Sequence, residues 1–230
     1  MLCCPEVKTF MGRVRLIKIE ELSERTKDAA MYVVAKHGLA DLSINSISRQ
    51  SEISENHIYR HFGTKDEILY QCYKAVTEKI VSELDDPKRG TYWHDRSVSI
   101  LEKFWSRYIE ALIELDYKAL FWQEYRNSKI FEEKIKEPKW RKKYGHLQAK
   151  LDMVVNQYFR YIKCHRYRFV KMIIITQADM VARHAIENKL NELGETNIRQ
   201  CKRDGLDLLL VGLTESGQNR LFMEEDETGE

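Results

Sequence analysis

The chain has 230 residues, 43% apolar and 32% charged, enough to bury a core beneath long solvated faces. With only 10 glycines and 3 prolines it lacks the turn formers that a sheet protein needs, so few connections and long helices are expected. The net charge is +2, with ten Lys and Arg against eight Asp and Glu in residues 1–65 and 28 of each beyond; this excludes capture of a polyanion by bulk field and leaves only local arrangement.

Residues 1–21 are mixed, with Arg13, Arg15 and Lys18, and read as an N-terminal arm. Leu22, Ala29, Ala30, Val33 and Val34 recur at helical spacing and predict a helix over 22–37, with Gly38 as a left-handed stop. A short helix is predicted over 43–51, capped by Ser43, with Ile44 and Ile47 inward; another over 54–62 is capped by Ser54, with Ile58 and Phe62 inward. Thr64 to Glu67 has the pattern of a capping box, opening a helix that runs to about Leu84 through Ile68, Leu69, Cys72, Val76 and Ile80. Residues 85–92, with Pro87 and Gly90, read as a linker. Longer helices follow over 93–115, 117–127, 142–163, 168–193 and 195–213. Pro138 falls in a Lys-rich stretch, 134–143, read as a solvated loop. The tail 215–230 is acidic, with five acids from Glu224 onward.

The expected architecture is therefore all-α with about nine helices: a three-helix N-terminal domain over 22–66 and a larger helical bundle over 67–214. Five cysteines, Cys3, Cys4, Cys72, Cys164 and Cys201, are odd in number and irregularly spaced, as in a reduced cytoplasmic protein. The N-terminus lacks a signal peptide's apolar core, and the most apolar run, 172–175, is far too short to span a bilayer, so no membrane association is expected.

The two short helices joined by Glu52-Ile53 form a helix-turn-helix candidate. In such a unit the second helix enters the major groove by its N-terminal residues, here Ser54, Glu55, Asn56 and His57, followed by Arg60. Asn can pair bidentately with adenine, Arg with guanine, and Glu can accept from the cytosine amino group. Because Ile58 and Phe62 occupy the inward face, Tyr59 should point outward. His57 and His61 have the i, i+4 spacing of a zinc pair, but position 58 is isoleucine where the metalloprotease string has glutamate, and no closed ligand set is apparent; no metal is expected.

The string from Ile58 to Leu69, Ile-Tyr-Arg-His-Phe-Gly-Thr-Lys-Asp-Glu-Ile-Leu, closely resembles the TetR-family recognition helix and the start of its next helix. Asp28-Ala29-Ala30, Gly38 and Ser43-Ile44-x-x-Ile47-Ser48 fall at matching offsets, so the resemblance covers about residues 22–72. It implies that Tyr59, His61 and Lys65 hold phosphates, and that Ser43 and Asn45 sit where the preceding helix approaches the DNA backbone. It further implies a homodimer, a near-palindromic operator on double-stranded DNA, and repression relieved by a small effector. Three positions depart from the pattern. Glu52 stands where glycine is usual, and a left-handed conformation there costs about 1 kcal/mol. Ser48 replaces alanine. Glu55 faces phosphate unless it reads a base or pairs with a neighbour such as Arg60.

The second half is rich in aromatics: Phe104, Trp105, Tyr108, Phe121, Trp122, Tyr125, Tyr158 and Phe159. They either pack a helical core or line a largely apolar effector pocket with polar tips from Tyr108, Tyr125 and Gln123. The resemblance favours the pocket. The last two long helices are apolar on more than one side, with Met172, Ile175, Ala182 and Ile186 on one face and Phe169, Ile173, Met180 and His184 on another, so dimerisation is expected there. No nucleophile–base string, phosphate loop or cofactor motif is present, so an enzyme is not expected. The alternative is a helical adaptor that uses its N-terminal bundle for protein contacts.

Overall fold

The structure, a computed structural model, describes residues 18–85, 98–159, 167–191 and 197–215. Among them are ten α-helices and no strand: α1 (Ile19–His37), α2 (Ile44–Ser51), α3 (Glu55–Phe62), α4 (Lys65–Leu84), α5 (Val98–Leu115), α6 (Tyr117–Arg126), α7 (Lys129–Lys134), α8 (Pro138–Phe159), α9 (Tyr167–Leu190) and α10 (Ile198–Glu215). A single 3-10 turn, Leu39–Asp41, joins α1 to α2. Most of the expected arm, linker and acidic tail lies outside the described residues.

Two expectations about the helices change. The Lys-rich stretch is not a loop throughout. Just before it, residues 129–134, where no helix is expected, form the short α7: Ser128 accepts from the Phe131 amide at 3.1 Å, and burial of Phe131 holds that turn down. Pro138 then opens α8, a position where its missing N–H is no loss. Gly38 does stop α1, its amide donating to the Val34 carbonyl at 2.8 Å, but at φ 89° and ψ 164° it is not in the left-handed helical well. Only glycine takes that geometry without strain.

One continuous apolar core runs from Ala30 and Val34 in α1 to Ile174, Ala182 and Ile186 in α9. Two packings within it position the functional surfaces. First, α8 lies beside α4 in the same direction. Tyr70 meets the rings of Trp140 and Tyr144 near the two N-terminal ends, and Tyr158 donates to the Leu84 carbonyl at 2.7 Å at the other. Second, α6 lies on α1: Tyr117 donates to Asp28 at 2.5 Å, Lys118 pairs with Asp28 at 3.0 Å, and Glu124 accepts from the Leu39 amide at 2.6 Å. α6 therefore touches α1 directly, as α4 does. At the far side α10 closes on α5 through Gly205, where a Cβ would come within 2.9 Å of the Trp105 ring.

Candidate DNA-binding surface and an open cavity

The N-terminal unit is held by local bonds that leave one surface outward. Ser43 accepts from the Ser46 amide at 3.0 Å while the Ser46 hydroxyl accepts from the Ser43 amide at 2.9 Å, a reciprocal box that starts α2. Buried Ile44 and Ile47 then face the core, and Ser43 and Asn45 face out. The turn after α2 keeps its shape despite the missing glycine, because Glu52 adopts the left-handed conformation itself, at φ 57° and ψ 29°. Arg25 braces it, donating to the Ser51 carbonyl at 2.6 Å with the Glu52 carboxylate 3.6 Å away.

In α3, Ile58 is fully buried and Phe62 half-buried, so Asn56, His57, Tyr59, Arg60 and His61 are all exposed, Tyr59 to 50%. Glu55 is half-buried and accepts from the Asn45 side chain at 3.1 Å, so its partner is on α2, not Arg60. Ser54 occupies the cap position of α3 but makes no side-chain capping bond; its hydroxyl pairs with the His57 Nδ1 at 2.8 Å. The capping box expected at α4 is half made. The Thr64 hydroxyl accepts from the Glu67 amide at 3.2 Å, but the Glu67 carboxylate turns to Gln71 and Lys143, at 2.9 and 3.1 Å. Lys65 donates to the Leu42 carbonyl at 3.2 Å, which ties the start of α4 to the entry of α2. The arrangement presents amide, imidazole, phenol and guanidinium groups on one short helix, a set able to meet base edges and phosphates.

The second half buries all eight of its candidate pocket aromatics. A cavity of about 280 Å³ is lined by Tyr73, Tyr108, Arg126, Gln148, Leu151, Asp152, Val155 and Ile175. Of the eight aromatics singled out by composition, Tyr108 alone is on that wall. The other seven are core: Phe104 packs on Tyr108 and Phe159, and Phe121 stacks on Tyr125. Tyr125 shares a 2.7 Å hydrogen bond with Tyr144, and Trp122 donates to Thr77 at 2.9 Å. Trp105 donates to the Lys202 carbonyl at 2.9 Å and seats α10, while Tyr158 bonds α4.

The cavity wall is partly polar, and two of its side chains, Tyr108 and Arg126, are tied to Asp179 on α9. Asp179 accepts from Tyr108 at 2.8 Å and Arg126 at 2.6 Å, and its carbonyl accepts from Gln123 at 3.2 Å. Burial and the Asp179 charge push the Tyr108 phenol well above its ordinary value, so it stays a donor. Burial opposes the Arg126 charge, but the Asp179 carboxylate outweighs it, and the guanidinium lies 4.1 Å above the Trp122 ring. Across the cavity Asp152 is paired with Lys171 at 3.0 Å. Composition alone missed Arg126 and Asp179. Their signal was a charge inside an otherwise buried pattern: Arg126 closes the aromatic run of α6, and Asp179 follows the buried Ala178.

On α9 the inward positions are Val170, Ile174, Ala178, Ala182 and Ile186, one helical turn apart. Met172, expected in line with Ala182 and Ile186, is instead exposed, because the inward row passes through 170 and 174. Phe169, Met180 and His184 are exposed as a second face, and Leu208 of α10 is exposed as well. No helix among the described residues is long and apolar enough to cross a membrane.

Residues 28–72 match the model of a family described as bacterial regulatory proteins, tetR family. No curated protein matches the sequence. Among solved structures, the chain is similar to the transcriptional regulator FadR from Bacillus subtilis in complex with stearoyl-CoA, at 17% identity and a TM-score of 0.59, with 82% of this chain and 98% of that one covered. It is also similar to a TetR-like regulator from Rhodococcus sp. RHA1 (17%, TM-score 0.59, 87% and 99% covered). The TetR-like regulator LfrR from Mycobacterium smegmatis in complex with proflavine matches at 14% and 0.54, with 84% and 96% covered. At these identities the likeness is one of fold, and it extends across both halves of the chain.

Proposed function

We propose that this chain, a TetR-family helix-turn-helix carried on a TetR-regulator fold, is a ligand-responsive, sequence-specific DNA-binding transcription regulator, a repressor that a small effector releases from its operator. The observation that carries the reading is the outward face of α3, where buried Ile58 leaves Asn56, His57, Tyr59, Arg60 and His61 all exposed. Asn56, His57 and Arg60 read base edges in the major groove, with Ser54 and Glu55 beside them. Tyr59, His61 and Lys65 hold phosphates, and Ser43 and Asn45 lie along the backbone. The Asn45–Glu55 bond keeps the acidic group engaged and reduces its repulsion of phosphate.

Two copies joined through α9 and α10 space two recognition helices for a near-palindromic site. The exposed Phe169, Met180 and Leu208 supply apolar surface for that contact. The effector occupies the cavity beside Tyr108, Arg126 and Gln148, a lining that suits a molecule with polar as well as apolar groups. That two proteins with this fold form complexes with small molecules, stearoyl-CoA and proflavine, supports a small-molecule effector. A molecule that disturbs the Arg126–Asp179 pair pulls on α6, and α6 bears on α1 through Asp28 and the Leu39 amide. DNA must weaken effector binding by the same factor as effector weakens DNA binding.

The test is binding of the purified chain to DNA flanking its own gene, and to a random-sequence pool, across a salt series, alongside Tyr59→Phe combined with Lys65→Ala. Tight, salt-sensitive binding abolished by the double change supports the reading. A folded dimer that binds neither DNA overturns it and leaves a helical adaptor.

A further inference from the structure

We infer that residues 134–143, at the head of α8, form a second contact with the DNA backbone and grip phosphates flanking each operator half-site. The inference rests on the regulator reading above. It starts from charge. The ten residues hold six cations, Lys134, Lys136, Lys139, Arg141, Lys142 and Lys143, against the single acid Glu137, a local net of +5 in a chain whose total is +2.

Tertiary structure puts that charge beside the proposed phosphate grip. Lys134 pairs with Asp66 at 2.7 Å and Lys143 with Glu67 at 3.1 Å, the two residues that follow Lys65 in the first turn of α4. Since α4 and α8 run in the same direction, their N-terminal ends lie at the same end of the molecule. The pairing also resolves a local conflict. Lys65, Asp66 and Glu67 together carry a charge of −1, which repels phosphate from the position where Lys65 is meant to hold it. Adding the +5 of residues 134–143 and the charge of Glu132, which pairs with Lys136, makes the combined patch +3.

The cations divide into two sets. Lys134, Lys136 and Lys143 are committed to carboxylates, Lys136 to Glu132 at 2.7 Å. Lys139, Arg141 and Lys142 are exposed and, among the described residues, meet no carboxylate. They are not on a loose loop. Trp140 and Tyr144 are buried against Tyr70, and Arg141 donates to the Lys136 carbonyl at 2.9 Å, closing the α7–α8 corner. An ordered cationic ridge level with the first turn of α4 fits a duplex that continues past the half-site, because phosphates recur along it whatever the sequence.

The test uses the full chain and an operator selected by it from a random-sequence pool. Two duplexes are compared, one trimmed to the minimal two half-sites and one extended at both ends. The variant is Lys139→Ala with Lys142→Ala, which leaves Arg141 and every ion pair in place; melting of the free protein checks that it folds. For the wild type, the salt slope on the extended duplex should exceed that on the trimmed one. The variant should lose roughly 2–4 from the extended-duplex slope, about 0.9 per phosphate released, and bind the trimmed duplex like the wild type. Equal wild-type slopes on the two duplexes, or a variant that weakens both alike through bulk charge, would overturn the ridge and leave the regulator intact. A wild type that selects no DNA overturns both.

Discussion

Helix α3 and the aromatic helices α5 and α6 handle conspicuous side chains in opposite ways. In α3, a single buried residue, Ile58, with Phe62 half-buried, anchors the helix, and five polar or aromatic groups are left in solvent. In α5 and α6, Phe104, Trp105, Tyr108, Phe121, Trp122 and Tyr125 are all buried, and only Tyr108 reaches the cavity. An exposed aromatic such as Tyr59 is thus available to a partner, whereas the buried aromatics of α5 and α6 are first of all packing. The cavity depends on the gaps between helices, where Arg126, Gln148 and Asp152 sit.

Four substitutions sharpen or break that contrast. Phe104→Ala should cost about 3–5 kcal/mol in urea unfolding, since a fully buried ring leaves an unfilled hole. A loss below about 1 kcal/mol would mean that the ring borders empty space and that the pocket extends to it. Asp179→Ala should cost about 3 kcal/mol and lower the melting temperature, because it leaves Arg126 and Tyr108 facing each other without their acceptor. Retention of full stability would show that the hub adds nothing to the fold. In the N-terminal unit, Glu52→Gly should raise stability by about 1 kcal/mol by removing the left-handed penalty, the exposed pair with Arg25 counting for little. No gain in the urea midpoint would mean that the turn carries no strain. Tyr59→Ala should shift stability by no more than about 0.5 kcal/mol while weakening DNA binding; a large loss of stability would place Tyr59 in the core and end the contrast.

Much of the N-terminal unit was legible because its signals are local. The Ser43 cap, the inward Ile44, Ile47 and Ile58 and the outward Tyr59 each follow from periodicity or from capping preference within a few residues, whereas the left-handed turn at Glu52 runs against that residue's own backbone preference. Even there, partners were harder to foresee than positions. Glu55 met Asn45 rather than Arg60, Ser54 met the His57 ring rather than an amide, and Glu67 met Lys143 from α8. A side chain selects among neighbours that only folding assembles.

The sequence alone determined that the chain is helical, where the short helices α2 and α3 begin and end, and which face of α3 is turned to solvent, since each of these depends on contacts a turn or two apart. Tertiary structure decided the rest. It converted the proline-bearing loop into the start of α8, brought Lys134 and Lys143 onto the acids of α4, and made a polar hub of Asp179, Arg126 and Tyr108 from three separate helices. Those outcomes join residues about 50 to 80 positions apart, and no periodicity in a single helix encodes which distant helix will pack against it.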